Sequence, residues 1–309
     1  MGKLALLFAG QGSQYHGMGK SFYDHFSDVK KIYDEASKVL GYDVSEICFI
    51  ENNKLNQTKY TQPAVLVTSI GIYKALINET KIKPDYLCGF SLGEYSALFA
   101  ANIFSFKDIV YLISKRALFM DECSSKNPGK MAAIIGLSSS VLTDICREVS
   151  KTLGLVTIAN YNSPNQLVIG GLKEAVEKVC EIAKSNGAKR AVMLNVSGGF
   201  HTSLMSEAAN KMYQEVLNIP INKASIPVVM NATGDYLVIN HLPELMRRQI
   251  ESSVYFSASI KKMINDGVDT FIEIGPGKVL SGLVKKIDHT KKVISVNDIS
   301  DLERVVTWI

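Results

Sequence analysis

The sequence predicts an α/β protein: a core with a parallel sheet flanked by helices, interrupted by an inserted ferredoxin-like α+β subdomain. Two observations lead to this fold class. Towards both ends of the chain, short apolar runs alternate with helical stretches, which is typical of a parallel sheet covered by helices. In the middle, the order changes to strand–helix–strand–strand–helix–strand, the pattern of a ferredoxin-like unit. The 309 residues suffice for one large domain, or for a large and a small one.

The first part of the core, placed at residues 1–126, contains two strand–helix units. An apolar run at 3–9 predicts a buried strand, and residues 62–78 have helical spacing. A second apolar run at 85–90 leads into a short helix, and a longer amphipathic helix is predicted at 106–121. This alternation indicates parallel strands joined by helices.

The inserted subdomain is placed at residues 127–197. It begins at the turn sequence Asn127-Pro128-Gly129 and ends at a second turn sequence, Ser197-Gly198-Gly199. Its elements are predicted, in βαββαβ order, at 131–135, 138–152, 155–159, 166–169, 172–186 and 189–196. The core then resumes over residues 198–309. Helices are expected there at 201–217, 241–250, 256–266 and 278–287, with strands at 226–230, 268–274 and 292–296.

Charge and cysteine usage exclude several classes of protein. The net charge of +4, from 34 basic and 30 acidic residues, is too small to indicate nucleic-acid binding. The five cysteines are odd in number and widely spaced, so neither a disulfide framework nor a metal site is expected, and a reducing compartment fits them better. No apolar run approaches the roughly 18 residues that span a bilayer. We therefore expect a cytoplasmic protein without a nucleic-acid or membrane partner.

The most informative motif is G-x-S-x-G at residues 89–93, between an apolar run and a helix. A strand that turns sharply into a helix exposes the serine hydroxyl at the top of a sheet, the arrangement called a nucleophile elbow. Ser91 is then the candidate nucleophile, and the Leu92 N–H at the helix start can stabilise an oxyanion. The alternative is a glycine-rich turn in which Ser91 only caps the helix.

A serine nucleophile needs a base, and His201 is the candidate among five histidines. It follows Gly198-Gly199-Phe200, where the subdomain returns to the core and a cleft is expected. The order serine then histidine suits hydrolase-like sheets. No acidic residue is obviously placed to orient His201, so a complete acid triad is not visible in the sequence.

The glycine-rich loop after the first strand, residues 10–19, has two interpretations. The loop does not match the dinucleotide-binding fingerprint G-x-G-x-x-G, because Tyr15 stands at the third glycine position. A backbone amide of this loop, most simply that of Gln11, can instead supply a second oxyanion donor. A plain tight turn is the alternative.

Arg116 lies on an otherwise apolar helix face, so it is expected to point inward. An inward guanidinium needs an anion, and its fork suits a carboxylate. That anion is either a ligand carboxylate near Ser91 or a protein carboxylate in a structural salt bridge.

Together, these motifs resemble the malonyl-CoA:acyl-carrier-protein transacylase family over nearly the whole chain. The matching segments are FAGQGSQ at 8–14, TQPA at 61–64, GFSLGEY at 89–95, Arg116 with Phe119-Met120, MAAI at 131–134, NYNSP at 160–164, Phe200-His201, Arg248-Gln249 and EIGPG at 273–277. The family fold is an α/β-hydrolase-like core with a ferredoxin-like insertion, which agrees with the order of elements above.

The resemblance implies transfer of a malonyl group from malonyl-CoA to the phosphopantetheine thiol of acyl carrier protein, in fatty acid synthesis. It implies no metal or other cofactor, and a ping-pong mechanism through a serine ester. In these roles, Ser91 is the nucleophile and His201 its base, and the Gln11 and Leu92 amides form the oxyanion hole. The implied roles of the remaining residues are malonyl carboxylate binding for Arg116, orientation of His201 for Gln249 and acyl-pocket lining for Gln62.

The sequence departs from the family pattern beside the nucleophile. Phe90 stands where the family usually has histidine, and a phenyl ring there is expected to make the acyl pocket more apolar. Gly199 stands where proline is common, which is expected to loosen the hinge, whereas Phe200 resembles malonyl-accepting members.

Three other functions remain open from the sequence. An acyl-thioester hydrolase would use the same elbow, but it has no need of a buried cation at Arg116. A trans-acting acyltransferase of a polyketide synthase would share all of the chemistry and differ only in its carrier protein. A non-catalytic carrier-binding module would not need both Ser91 and His201.

Overall fold

Two separate sheets organise the chain, whose computed structural model describes residues 2–308. The strands are β1 (Lys3–Phe8), β2 (Tyr86–Gly89), β3 (Lys130–Ile135), β4 (Val156–Ser163), β5 (Gln166–Gly171), β6 (Arg190–Met193), β7 (Val228–Met230), β8 (Asp235–Tyr236), β9 (Val268–Ile274) and β10 (Lys292–Val296). The helices are α1 (Lys20–His25), α2 (Ser27–Leu40), α3 (Val44–Phe49), α4 (Thr58–Thr80), α5 (Gly93–Ala100), α6 (Phe106–Lys126), α7 (Ser139–Leu153), α8 (Lys173–Ser185), α9 (Ser206–Leu217), α10 (Leu242–Glu251), α11 (Phe256–Asn265), α12 (Val279–Ile287) and α13 (Ile299–Trp308). Within residues 2–308, no helix is both long and apolar enough to cross a bilayer.

The larger sheet has six strands in the order β10-β9-β1-β2-β7-β8. All neighbours are parallel except β7 and β8, which form a short antiparallel pair. The predicted parallel sheet flanked by helices is confirmed. Because Phe8 pairs with Gly89 at the carboxyl ends of β1 and β2, the loop after β1 lies directly beside the turn after β2.

The smaller sheet has four antiparallel strands in the order β4-β5-β3-β6. Its strands and the helices α7 and α8 enclose a separate apolar core, which includes Ile134, Leu142, Val149, Ile169 and Val176. This unit, the small lobe, fits the predicted ferredoxin-like insertion. The boundaries 127 and 197 stay a prediction.

A short segment between α10 and α11, residues 252–255, ties the two lobes together; we call it the strap. Val254 donates its N–H to the Ala159 carbonyl, and its own carbonyl accepts from the Tyr161 N–H, both at 2.9 Å. Ser253 Oγ donates to the Ile158 carbonyl at 2.6 Å. The strap therefore extends the edge of the small sheet into the core domain.

Several predicted elements have different limits in the structure. The strand predicted at 189–196 ends at Met193, where the chain leaves the small sheet to return to the core. The helix predicted from residue 201 begins only at Ser206, after a 3₁₀ turn, because His201 has φ 59° and a left-handed residue cannot continue a right-handed helix. No pattern in the sequence predicted α1, α2, α3, β8 or α13.

Candidate active site

Ser91 lies at the turn between β2 and α5, with a left-handed φ of 52°. An L-residue in this region costs about 1–3 kcal/mol and persists only where its surroundings impose it. The flanking glycines are required by close packing. A Cβ on Gly89 would lie 2.0 Å from the Gly93 carbonyl carbon, and one on Gly93 would lie 2.1 Å from the Phe8 carbonyl oxygen. The motif at 89–93 therefore folds as a nucleophile elbow.

The Ser91 hydroxyl pairs with His201 across 110 positions of sequence, with Oγ and Nε2 2.8 Å apart. On its other side, His201 Nδ1 lies 2.7 Å from the Gln249 carbonyl oxygen. A carbonyl oxygen only accepts, so Nδ1 carries the proton and Nε2 is left to accept from the serine. The helix-cap alternative is not observed, since the residue that caps α5 is Leu92. The pair has the tautomer that a serine–histidine mechanism needs.

The surroundings of His201 keep it neutral in the free protein. Burial, and to a lesser degree the positive charge of Arg116, lower the pKa of His201 from 6.5 to about 3. Two carbonyls from the last turn of α10 bind this residue: that of Gln249 at Nδ1, and that of Ile250 at the main-chain N–H, at 3.2 Å. The carboxyl end of a helix carries partial negative charge, which stabilises an imidazolium formed during reaction.

Gln249 orients His201 through its main chain, whereas a triad acid would do so through its side chain. Its main-chain carbonyl orients the imidazole, whereas its side chain binds two other groups. Nε2 donates to the Ser91 carbonyl at 2.6 Å, and Oε1 accepts from Arg116 at 3.1 Å. The group in the position of the absent acid is thus a helix carbonyl, which has no signature in the sequence.

Arg116 is 1% exposed and has only neutral hydrogen-bond partners. One terminal nitrogen donates to Gln62 Oε1 at 2.6 Å, and the other donates at 3.1 Å to both Ser91 Oγ and Gln249 Oε1. Its Nε has no partner, and no carboxylate within residues 2–308 forms an ion pair with it. The salt-bridge alternative is therefore wrong. A buried cation without an anion is costly, so the site is suited to a ligand carboxylate.

The two amides expected to form the oxyanion hole lie on adjacent turns. Gln11 follows β1 and Leu92 follows Ser91, and neither N–H has an acceptor among residues 2–308. The Gln11 side chain is held near the mouth of the site, because its Nε2 donates to Thr58 Oγ1 at 3.3 Å and its Oε1 accepts from Gln62 at 3.5 Å. Both amides are free to bind a developing negative charge.

Phe90 lies in a neighbouring cavity rather than against the arginine. Its ring packs edge-on against Phe256, with centroids 5.4 Å apart. It lines a cavity of about 200 Å³ whose wall is formed by residues 9–13, Glu273, Val279 and Leu280. Neither Arg116 nor Gln62 belongs to that wall. Phe90 thus lies on the Gln11 side of the site, away from Arg116, and the expectation that it makes the acyl pocket more apolar stays a prediction.

Two buried residues around the elbow were missed in the sequence analysis. Asn231 follows β7 and bonds both sides of the turn, and Glu94 in the first turn of α5 accepts the Asn231 N–H. Burial raises the pKa of Glu94 from 4.5 to about 8, so its carboxyl is protonated at neutral pH. The only sequence signal was an acid directly after the motif and an asparagine directly after an apolar strand.

Comparisons with known proteins agree on one family. Residues 5–309 match the model of the acyl transferase domain. The malonyl CoA-acyl carrier protein transacylase of Bacillus subtilis is 44% identical over 308 residues, 99% of this chain and 97% of the relative. A structure of MCAT from Streptococcus pneumoniae is 44% identical, with a TM-score of 0.95 and coverage of 99% and 100% of the two chains. A solved complex of a type II PKS acyl-carrier protein with its malonyl-transacylase is 36% identical, with a TM-score of 0.96 and coverage of 99% and 100%.

Proposed function

The chain belongs to the malonyl CoA-acyl carrier protein transacylase family of acyl transferases, and we propose that it moves a malonyl group from malonyl-CoA to the phosphopantetheine thiol of an acyl carrier protein. One observation carries the choice of acyl group. The Arg116 guanidinium is buried, lacks a carboxylate partner and touches the hydroxyl of Ser91. A malonyl group bound to Ser91 places its free carboxylate within reach of that cation.

The first half-reaction forms an ester on Ser91. His201 Nε2 takes the hydroxyl proton as Oγ attacks the thioester carbonyl carbon. The Gln11 and Leu92 amides stabilise the resulting oxyanion, and the loss of one such donor typically costs about 10²–10³ in rate. The carbon–sulfur bond then breaks, and the proton on His201 passes to the sulfur of CoA.

The second half-reaction repeats these steps with a different thiol. The carrier thiol gives its proton to His201, and its sulfur attacks the ester carbonyl. The bond to Ser91 Oγ breaks, and Oγ regains the proton from the imidazole. A thioester is already an activated acyl donor, so the proposed reaction uses no metal or prosthetic group.

The proposed setting is fatty acid synthesis in the cytoplasm, with no nucleic-acid or membrane partner. All five cysteines are buried free thiols, which suits a reducing compartment. A polyketide carrier is the second candidate acceptor, because one relative is described in complex with a type II PKS acyl-carrier protein. The two settings share the half-reactions and differ in the carrier surface that is recognised.

Mass spectrometry of the intact protein tests the proposal. After mixing with malonyl-CoA and no acceptor, the protein should gain one malonyl group on Ser91, and addition of a holo carrier protein should remove it. Ser91→Ala is the matched control and should gain nothing. An unchanged adduct on this variant would refute Ser91 as nucleophile, and rapid release of free malonate without an acceptor would indicate a hydrolase instead.

A panel of acyl-CoAs and carrier proteins completes the test. Malonyl-CoA should be preferred over acetyl-CoA, and the carrier that accepts the acyl group fastest identifies the pathway. Equal transfer of both acyl groups would contradict the proposed selectivity.

A further inference from the structure

Asn231 makes four hydrogen bonds around the elbow through its side chain and main chain, and the half-reactions above give it no role. It is fully buried at the end of β7. Its Oδ1 accepts the Ser91 N–H and its Nδ2 donates to the Gly89 carbonyl, both at 2.7 Å. Its main-chain N–H donates to Glu94 Oε2 at 2.5 Å, and its carbonyl accepts from the Tyr255 N–H at 2.9 Å. Every polar group of this residue is engaged.

These contacts connect segments that must keep one relative position. Gly89 ends β2, Ser91 is the nucleophile, Glu94 begins α5, and Tyr255 belongs to the strap that pairs with the small lobe. The strap follows α10, whose last carbonyls bind His201. Asn231 therefore links the segment that carries the nucleophile to the strap, which continues from the helix that binds the base.

The left-handed backbone of Ser91 needs such a partner. Its N–H is buried within the elbow, and without an acceptor it would lose a hydrogen bond that water cannot replace. Relaxation of φ towards negative values would rotate the following peptide, which carries the Leu92 N–H, and would move Oγ relative to His201. The Ser91 carbonyl is held separately, by the Gln249 side chain and by the Glu94 N–H.

We propose that Asn231 is a positioning residue, which holds Ser91 in the left-handed conformation and so aims both its hydroxyl and the Leu92 N–H at the reacting carbonyl. This inference rests on the proposed function only in taking Ser91 as the nucleophile. Asn231 has no hydrogen bond to Arg116 or Gln62, so it does not contribute to binding of the malonyl carboxylate. Its loss should lower the acylation rate and leave acyl-CoA binding intact.

Two variants and one control test this role in the full-length protein. Asn231→Ala removes both side-chain bonds, whereas Asn231→Asp keeps the shape and the acceptor oxygen. Thr68→Val is the control, because it removes an equally buried hydrogen bond, to the Tyr33 hydroxyl at 2.9 Å, that does not contact the elbow. Each variant is measured for melting temperature, for the rate of CoA release on mixing with malonyl-CoA, and for labelling by a fluorophosphonate.

Asn231→Ala should slow CoA release and fluorophosphonate labelling by about 10²–10³, the range seen when an oxyanion donor is lost. KM for malonyl-CoA should stay within about threefold of the original, because the binding groups are untouched. Thr68→Val should lower the melting temperature and leave both rates unchanged.

Asn231→Asp adds a readout that a purely structural role would not change. Its protonated carboxyl can still accept from Ser91 and donate to Gly89, whereas the ionised form loses the donor. Burial of this position favours the protonated form of the introduced carboxyl. Glu94, which accepts the main-chain N–H of residue 231, favours that form further once it ionises at higher pH, whereas the Arg116 charge that acts on Glu94 opposes it. The acylation rate relative to the unsubstituted protein should therefore fall as pH rises, and the Asn231→Ala rate should show no such fall.

The outcomes separate this inference from the proposed function. Acylation of Asn231→Ala at the original rate, or an Asn231→Asp profile parallel to that of the unsubstituted protein, would overturn the positioning role. If Asn231→Ala does not fold, the Asn231→Asp profile decides. A protein without substitutions that reacts with the fluorophosphonate but not with malonyl-CoA would refute the proposed substrate and leave the Asn231 comparison valid.

Discussion

The active site and the core of the small lobe are both buried, but the first is lined by polar side chains and the second by apolar ones. Around Ser91, the side chains of Gln62, Glu94, Arg116 and Asn231 are all fully or almost fully buried. The enclosed core of the small lobe consists of apolar side chains, and the buried polar residues that residues 127–197 contain, Asn160, Asn162 and Ser163, lie on β4, the strand that meets the strap.

This contrast indicates that the site, and not the small lobe, contains groups whose burial lowers the stability of the fold. Apolar burial stabilises the small lobe in proportion to the area removed from water. At the site, a cation, a neutral acid and two left-handed residues are held by hydrogen bonds, an arrangement that stability alone does not favour. Substitutions in the two regions should therefore have different consequences: loss of chemistry in one and loss of stability in the other.

The largest effect on chemistry is expected from His201→Ala. Without a base for Ser91, malonyl transfer should fall by at least about 10³-fold, as for other members of a catalytic unit. His25→Ala, on the exposed end of α1, is the control and should transfer at the original rate. Stopped assays with malonyl-CoA and a carrier protein measure both, and a loss of less than tenfold for His201→Ala would contradict its role as base.

Arg116→Ala should change selectivity rather than abolish transfer. A charge-assisted hydrogen bond contributes about 1.5–3 kcal/mol, so the ratio of kcat/KM for malonyl-CoA to that for acetyl-CoA should fall on the order of 10- to 100-fold. Lys115→Ala, one position away on α6 and partly exposed, should leave the ratio unchanged. An unchanged ratio in Arg116→Ala would contradict the binding of the malonyl carboxylate by Arg116.

In the small lobe, Leu142→Ala should show the opposite behaviour. Leu142 is fully buried in the apolar core, and such a truncation typically costs about 2–5 kcal/mol of stability. Below the unfolding transition, malonyl-enzyme formation should proceed at the original rate. Thermal or urea unfolding with parallel activity measurements checks this. A slower malonyl-enzyme formation in a variant of unchanged stability would contradict the distinction between the two regions.

A smaller effect is expected from Glu94→Gln and appears only in the pH dependence of stability. Because the folded-state pKa of about 8 lies above the ordinary 4.5, the folded protein binds the extra proton between these values. Stability should thus fall as pH rises from 4.5 through 8, and removal of the ionisable group should flatten that slope. Melting temperatures across this range test it against exposed Glu174→Gln, and equal slopes would contradict a buried neutral Glu94.

The sequence predicted elements with strong periodicity best. The strands predicted at 268–274 and 292–296 match β9 and β10, because both are short runs rich in the β-branched and aromatic residues that favour strands. The two-residue strand β8 carries no period to detect, and its pairing depends on a tight turn beside β7. The predicted helix start at 201 was wrong, because the left-handed conformation of His201 overrides the local helical pattern.

At the site, motifs predicted side chains but not the main-chain groups that hold them. Ser91, His201 and Arg116 do meet, as their patterns indicated. The carbonyl that orients His201 could not be predicted, because every residue has one and only the fold selects Gln249. Asn231 lies 140 positions from Ser91 and belongs to no motif that defines a nucleophile.

The central claim is that Arg116 binds the substrate carboxylate beside the acylated Ser91, and a crystal structure of the malonyl-enzyme tests it most directly. We expect the malonyl carboxylate to accept two hydrogen bonds from the guanidinium at about 2.7–2.9 Å, the usual charge-assisted distance. The bond from Arg116 to Ser91 Oγ should be replaced in that complex. A malonyl carboxylate that points into solvent, with Arg116 still bound to Gln62 and Gln249 alone, would contradict the account.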